Sequence, residues 1–218
     1  MRRRVPLGTR LGVLAAGAFA LAFLLLALAV FSTPGTDRFD QDVSRWAASL
    51  AWPGGWRTVQ AVSWFGTVSF LAPATLAVSA VLAWRGRRRA AWLFAAWVIG
   101  AFLLENALKL VFHRPRPTVP HPLATEKTYG FPSGHATMVT VFFGGLAALV
   151  WRTTAKAGPR AAAVVFAAAA VAVVSLSRIC LGVHWATDVE AGALVGLFWI
   201  AVSLAVVDRA PLPSPPGR

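Results

Sequence analysis

The chain has 218 residues, of which 57 % are hydrophobic and only 13 % charged, about half the charged share of an ordinary soluble domain. So few charges exclude a water-soluble fold of this length, and hydrocarbon is the expected solvent. The net charge of +13 does not call for nucleic acid, because the basic residues gather in short clusters beside apolar runs. The single cysteine, Cys180, excludes an intrachain disulfide.

The first uncharged run, Leu11 to Phe31, follows Arg2, Arg3, Arg4 and Arg10. It is long enough for a bilayer core of about 30 Å. Ala27-Leu28-Ala29 imitates a signal cleavage site, but the run exceeds the roughly 7–15 residues of a signal core, so an uncleaved anchor is expected. The segment 36–56, TDRFDQDVSRWAASLAWPGGW, reads equally as an amphipathic surface helix over the site or as a solvated connector. A second run lies between Arg57 and Arg85, and a third, Ala90 to Phe112, carries Glu105, Asn106 and Lys109 near its end. Three more follow: Ser133 to Trp151, Ala161 to Ser177 and Ala191 to Val207. The expected fold is an all-α bundle of six transmembrane helices, one domain over 1–210, with a disordered tail at 211–218.

Lysines and arginines set the expected orientation. With the N-terminus inside, the cytoplasmic segments hold 4, 4, 3 and 2 basic residues. The outer segments hold eight, partly offset by Asp37, Asp40 and Asp42. Both termini are therefore expected in the cytoplasm of a multi-pass plasma-membrane protein. Three polar stretches, KLVFHRPRP (109–117), GFPSGHATMV (130–139) and SRICLGVHWATD (177–188), then fall together on the extracytoplasmic side.

Ionisable groups at membrane depth are costly and mark function. Lys109, Arg116 and Arg178 supply three cations, and an oxyanion suits them, since an arginine fork matches phosphate oxygens. Lys109 could instead pair with Glu105 four residues earlier, whereas Arg116 and Arg178 have no obvious partner in sequence. Ser133 stands at a helix N-cap, and Gly134 lets an anion approach the first free backbone N–H groups. His184 and Asp188 share a face if both lie on the first helical turn. A carboxylate on one ring nitrogen frees the other to attack, so His184 is the expected nucleophile. His135 is placed to protonate the leaving oxygen. His113 and His121 read as packed or solvated. The nearby carboxylates Glu105, Glu126, Asp188 and Glu190 are scattered, so no metal or other cofactor is expected.

These stretches resemble the signature of the type 2 phosphatidic acid phosphatase (PAP2) superfamily, K-x6-RP, PSGH and SR-x5-H-x3-D. Every fixed position is matched: Lys109, Arg116, Pro117, Pro132 to His135, Ser177, Arg178, His184 and Asp188. The resemblance implies a metal-independent phosphatase working through a phosphohistidine on His184, with Asp188 supporting it and His135 protonating the leaving group. It implies phosphate binding by Lys109, Arg116, Ser133, Gly134 and Arg178. The implied substrates are lipid phosphates such as phosphatidate, phosphatidylglycerol phosphate or undecaprenyl diphosphate, in a bacterial plasma membrane. No nucleic-acid partner is expected, and the sequence is silent on oligomeric state. The rival readings are a lipid phosphotransferase, a protein that binds or translocates phospholipids without cleaving them, and the vanadium haloperoxidases. The last share the site residues but are soluble.

Overall fold

The computed structural model describes residues 7–50, 55–118, 126 and 128–209. The tail at 211–218 and His121 lie outside the described residues, as do residues 51–54 of the 36–56 segment. The described residues form eight helices and no strand: α1 (Leu7–Ser32), α2 (Pro34–Ser49), α3 (Gly55–Trp64), α4 (Val68–Trp84), α5 (Arg88–Phe112), α6 (Gly134–Thr153), α7 (Ala157–Cys180) and α8 (Ala186–Arg209).

Five helices are long and apolar enough to cross a membrane, and the pair α3–α4, bent by 41°, brings the number to six when it is taken as one broken span. The six expected runs are therefore present, with one difference. Hydropathy alone reads residues 57–85 as one span, but the chain breaks at Phe65-Gly66-Thr67. There Thr67 becomes the N-cap of α4, its hydroxyl accepting from the Phe70 N–H at 3.3 Å.

Two apolar clusters hold the bundle. Leu71 of α4, Phe94, Val98 and Ala101 of α5, and Met138, Val141 and Phe142 of α6 form one. Phe23, Ala27 and Val30 of α1 pack with Phe131 and with Ala191 and Val195 of α8 in the other. The outward faces are equally apolar: Leu14, Leu21, Leu24 and Leu28 of α1, Trp92, Leu103 and Leu110 of α5, and Val165 and Phe166 of α7 are all exposed. In water such surface would drive aggregation; around a bundle it is the lipid-facing skin of a multi-pass membrane protein.

Residues 36–49 of the 36–56 segment are helical and docked rather than a solvated connector. They belong to α2, pinned by Asp40, which is 1 % exposed and bonded to the first turn of α8. The α5–α6 and α7–α8 connections meet α2 and α3 at one end of the bundle, where the three polar stretches converge.

Candidate active site

The first polar stretch begins on the last turn of α5. The helix stops because His113 is left-handed (φ 47°) and the alternating prolines 115 and 117 cannot continue it. Lys109 is buried, with Nζ 3.2 Å from Glu105 Oε1 and donating to the Tyr129 carbonyl at 2.8 Å. Its pairing with Glu105 is thus made. Arg116 is held like a bracket. Nε donates to Thr128 O (2.6 Å) and Nη1 to Val183 O (2.8 Å), and Nη1 also lies 3.0 Å from His184 Nε2.

The second stretch opens α6. Ser133 occupies the N-cap with extended backbone, but its hydroxyl caps nothing; the Oγ is buried without a partner. Its backbone N–H donates instead to the Asp188 carbonyl at 2.8 Å, tying α6 to α8. A Cβ at Gly134 would sit 2.7 Å from Glu105 Oε1, so a larger residue there would push the Glu105 carboxylate aside. His135 is partly buried and its Nε2 is also without a partner.

The third stretch joins α7 to α8. Arg178, on the last turn of α7, donates from Nη1 to Ser63 Oγ at 2.7 Å and from Nη2 to Glu126. His184 lies in the turn just before α8, not on its first helical turn as the spacing suggests, yet the pair still forms. His184 Nδ1 is 3.3 Å from Asp188 Oδ2, with both side chains essentially fully buried. Asp188 sits three residues after Trp185 and its Oδ2 also accepts the Trp185 N–H at 3.0 Å, the reach-back half of a capping box. Arginine has donors only, so the His184 Nε2 facing Arg116 carries the lone pair and Nδ1 carries the proton directed at Asp188. Burial, and behind it the charges of Arg116, Arg178 and Lys109, holds the His184 imidazole well below the usual histidine range.

All eight expected site residues therefore meet at one end of the bundle. One expectation needs correction. Two of the three cations are compensated within the chain, Lys109 by Glu105 and Arg178 by Glu126, while Arg116 is held by carbonyl oxygens and faces His184. The buried polar atoms of the site left without a hydrogen-bond partner are the Ser133 hydroxyl, His135 Nε2, Arg178 Nε and Glu105 Oε1.

Several residues were missed by sequence reasoning. Arg114 is buried and bridges three elements, with Nη1 to Asp188 Oδ1 (2.6 Å) and Thr187 Oγ1 (2.7 Å), and Nη2 to Asp40 Oδ2 (2.7 Å). Asp40 in turn accepts the Thr187 N–H at 3.0 Å and its hydroxyl at 2.6 Å. The break between α3 and α4 delivers Ser63 to Arg178 and Gly66 to His135, where any Cβ would sit 2.8 Å from the ring. A glycine followed by threonine inside an apolar run was the available signal for that break. Among the described residues no three histidine, cysteine or carboxylate side chains gather as a metal ligand set.

A bundle of apolar helices with polar stretches gathered at one end defines a class, the multi-pass membrane proteins, and comparison with known proteins makes the assignment specific. The PAP2 superfamily pattern matches residues 89–211. Over 181 residues the chain is 30 % identical to phosphatidylglycerophosphatase B of Bacillus subtilis (strain 168), covering 81 % of this chain and 87 % of that protein. Over 154 residues it is 36 % identical to decaprenylphosphoryl-5-phosphoribose phosphatase of Mycolicibacterium smegmatis, covering 67 % and 76 %. The crystal structure of a transmembrane PAP2 type phosphatidylglycerolphosphate phosphatase from Bacillus subtilis shares the fold, with a TM-score of 0.84 at 24 % identity over 92 % of this chain and 99 % of that one. The chain belongs to the PAP2 superfamily, and it is a lipid phosphate hydrolase.

Proposed function

We propose that the enzyme hydrolyses a lipid phosphate monoester or diphosphate through a phosphohistidine on His184. The observation that carries this reading is the orientation of that imidazole, with its Nδ1 proton on Asp188 and its Nε2 lone pair beside Arg116. The substrate phosphate displaces Glu126 from Arg178 and takes the forks of Arg116 and Arg178, the Lys109 ammonium, and the Ser133 hydroxyl with the first N–H groups of α6. Nε2 attacks phosphorus as the bond to the lipid oxygen breaks, and His135 gives that oxygen a proton. Asp188 stabilises the cationic ring of the intermediate. Water then attacks phosphorus, His135 takes its proton, and the P–N bond breaks to release inorganic phosphate and neutral His184. The cations stabilise the charge on the equatorial oxygens in both steps.

The substrate class follows from the surroundings. A groove of about 980 Å³ between α1, α6, α7 and α8 is lined by Leu11, Phe19, Val164 and Leu197, and its site-side end reaches Ser175 and Glu190. Lipid tails lie in or beside it while the headgroup enters from the membrane surface. Phosphatidylglycerol phosphate, phosphatidate and undecaprenyl diphosphate all meet these requirements. The basic clusters at the opposite end support a cytoplasmic location for that end and an extracytoplasmic site.

The test is phosphate release by the purified protein from these three lipids, in EDTA, with His184→Ala alongside. The expected result is release that survives EDTA and falls about 10³-fold or more in the variant. Activity persisting in His184→Ala overturns the choice of nucleophile, and release abolished by EDTA overturns the metal-independent mechanism.

A further inference from the structure

At the end of the bundle away from His184, α4, α5 and α6 enclose a second cavity of about 570 Å³. Its walls are apolar, with Leu82, Leu93, Phe94 and Leu149, while Arg87, Arg88, Arg89 and Arg152 stand around it and no lining residue is acidic. Basic residues at one membrane face need no cavity to do their topological work. Here they surround one. The α4–α5 turn that presents them is closed by a Schellman pattern, Gly86 N–H to Ala83 O at 2.9 Å and Arg87 N–H to Leu82 O at 2.8 Å. After it α5 starts with Arg87 at the N-cap, no side-chain cap and no acidic residue in its first turn. Its first backbone N–H groups are therefore left without a capping side chain beside the arginines.

We propose that this cleft binds an anionic phospholipid of the leaflet opposite the active site. Its headgroup phosphate sits between Arg87, Arg88 and the start of α5, and its acyl chain lies against Leu82, Leu93 and Leu149. Charge selects the anionic headgroup, and the apolar wall selects a lipid over a free anion. The site is separate from the catalytic pocket and neither uses its residues nor depends on its mechanism.

Native mass spectrometry of the purified protein, titrated with phosphatidylglycerol or phosphatidylcholine, reads this directly. Arg87→Gln/Arg88→Gln is expected to weaken phosphatidylglycerol binding about tenfold or more. Ala90→Trp, which fills the cleft and leaves every charge in place, is expected to do the same, with Leu149→Phe as the second filling variant. Phosphatidylcholine binding and hydrolysis of a water-soluble phosphate ester stay at wild-type level, which also certifies folding. Wild-type phosphatidylglycerol binding by the filled variants overturns the proposal, leaving only a diffuse attraction to arginines. Displacement of the lipid by inorganic phosphate at equal concentration overturns it too, in favour of a free-anion site.

Discussion

Arg114 Nη1 stands 2.6 Å from Asp188 Oδ1, while the other oxygen of the same carboxylate faces His184 Nδ1 at 3.3 Å. The group that orients the imidazole is thus itself held by a buried cation, and that cation is shared with Asp40.

Arg114→Met is expected to leave two buried carboxylates short of a partner and to destabilise the protein by about 3–5 kcal/mol. Loss of stability alone would not distinguish positioning from packing. Without the nearby cation Asp188 stabilises the imidazolium more strongly, so the His184 pKa rises. The acid limb of kcat/KM then moves to higher pH. Arg114→Lys, which keeps the charge, is expected to restore most of that limb. A limb unchanged in Arg114→Met would reduce Arg114 to a packing role.

His135→Ala tests proton delivery. With an alkyl or lipid leaving group the variant is expected to lose about 10²–10⁴-fold in kcat. An aryl phosphate such as p-nitrophenyl phosphate, whose leaving group departs without a proton, should lose far less in the first chemical step. Equal losses on both substrates, measured in the pre-steady state, would remove the general-acid role.

The depressed His184 pKa has a consequence for stability with a definite sign. Unfolding returns the imidazole to its ordinary value near 6.5, so below that pH the unfolded chain binds a proton that the folded one does not. The contribution is fully present above about pH 6.5 and is lost as pH falls towards the folded value. Thermal midpoints of the wild type in detergent should fall between pH 7 and pH 5, and His184→Gln should flatten that dependence. Parallel curves for the two proteins would contradict the buried neutral imidazole.

Glu126 holds the Arg178 guanidinium, which is proposed to bind the substrate phosphate. Glu126→Gln removes this competitor, so inhibition by vanadate or inorganic phosphate should tighten by up to about fivefold, as for a partly exposed pair. The gain should appear in KM for soluble substrates and leave kcat nearly unchanged. Weaker vanadate inhibition in the variant would show that Glu126 orients Arg178 rather than competing for it.

Much of this was legible in the residues. The uncharged runs gave the crossings, and Ser133 before Gly134 gave the start of α6. The fixed spacings brought Lys109, Arg116, Arg178, His135, His184 and Asp188 to one end. The rest depended on pairings across distant sequence. Asp40 and Arg114 are 74 residues apart, and only the folded bundle tells which arginine of His113-Arg114-Pro115-Arg116 meets which carboxylate. The break at Gly66 was hidden because hydropathy averages over residues 57–85 and does not register a turn without charge. Lys109 could be read either as an ion-pair member or as a phosphate ligand, and the folded bundle shows the pairing with Glu105.

The bond from Asp40 to Thr187 and Arg114 turns a helix at the bundle's end into a condition for chemistry. A chain whose α2 has not docked leaves Arg114 without Asp40, one of its three partners, and so loosens the brace on the carboxylate beside His184. A half-assembled bundle, on its way into the membrane or damaged there, therefore holds the His184 imidazole less firmly in its orientation. The His184–Asp188 pair is fully braced only when the architecture around it is complete.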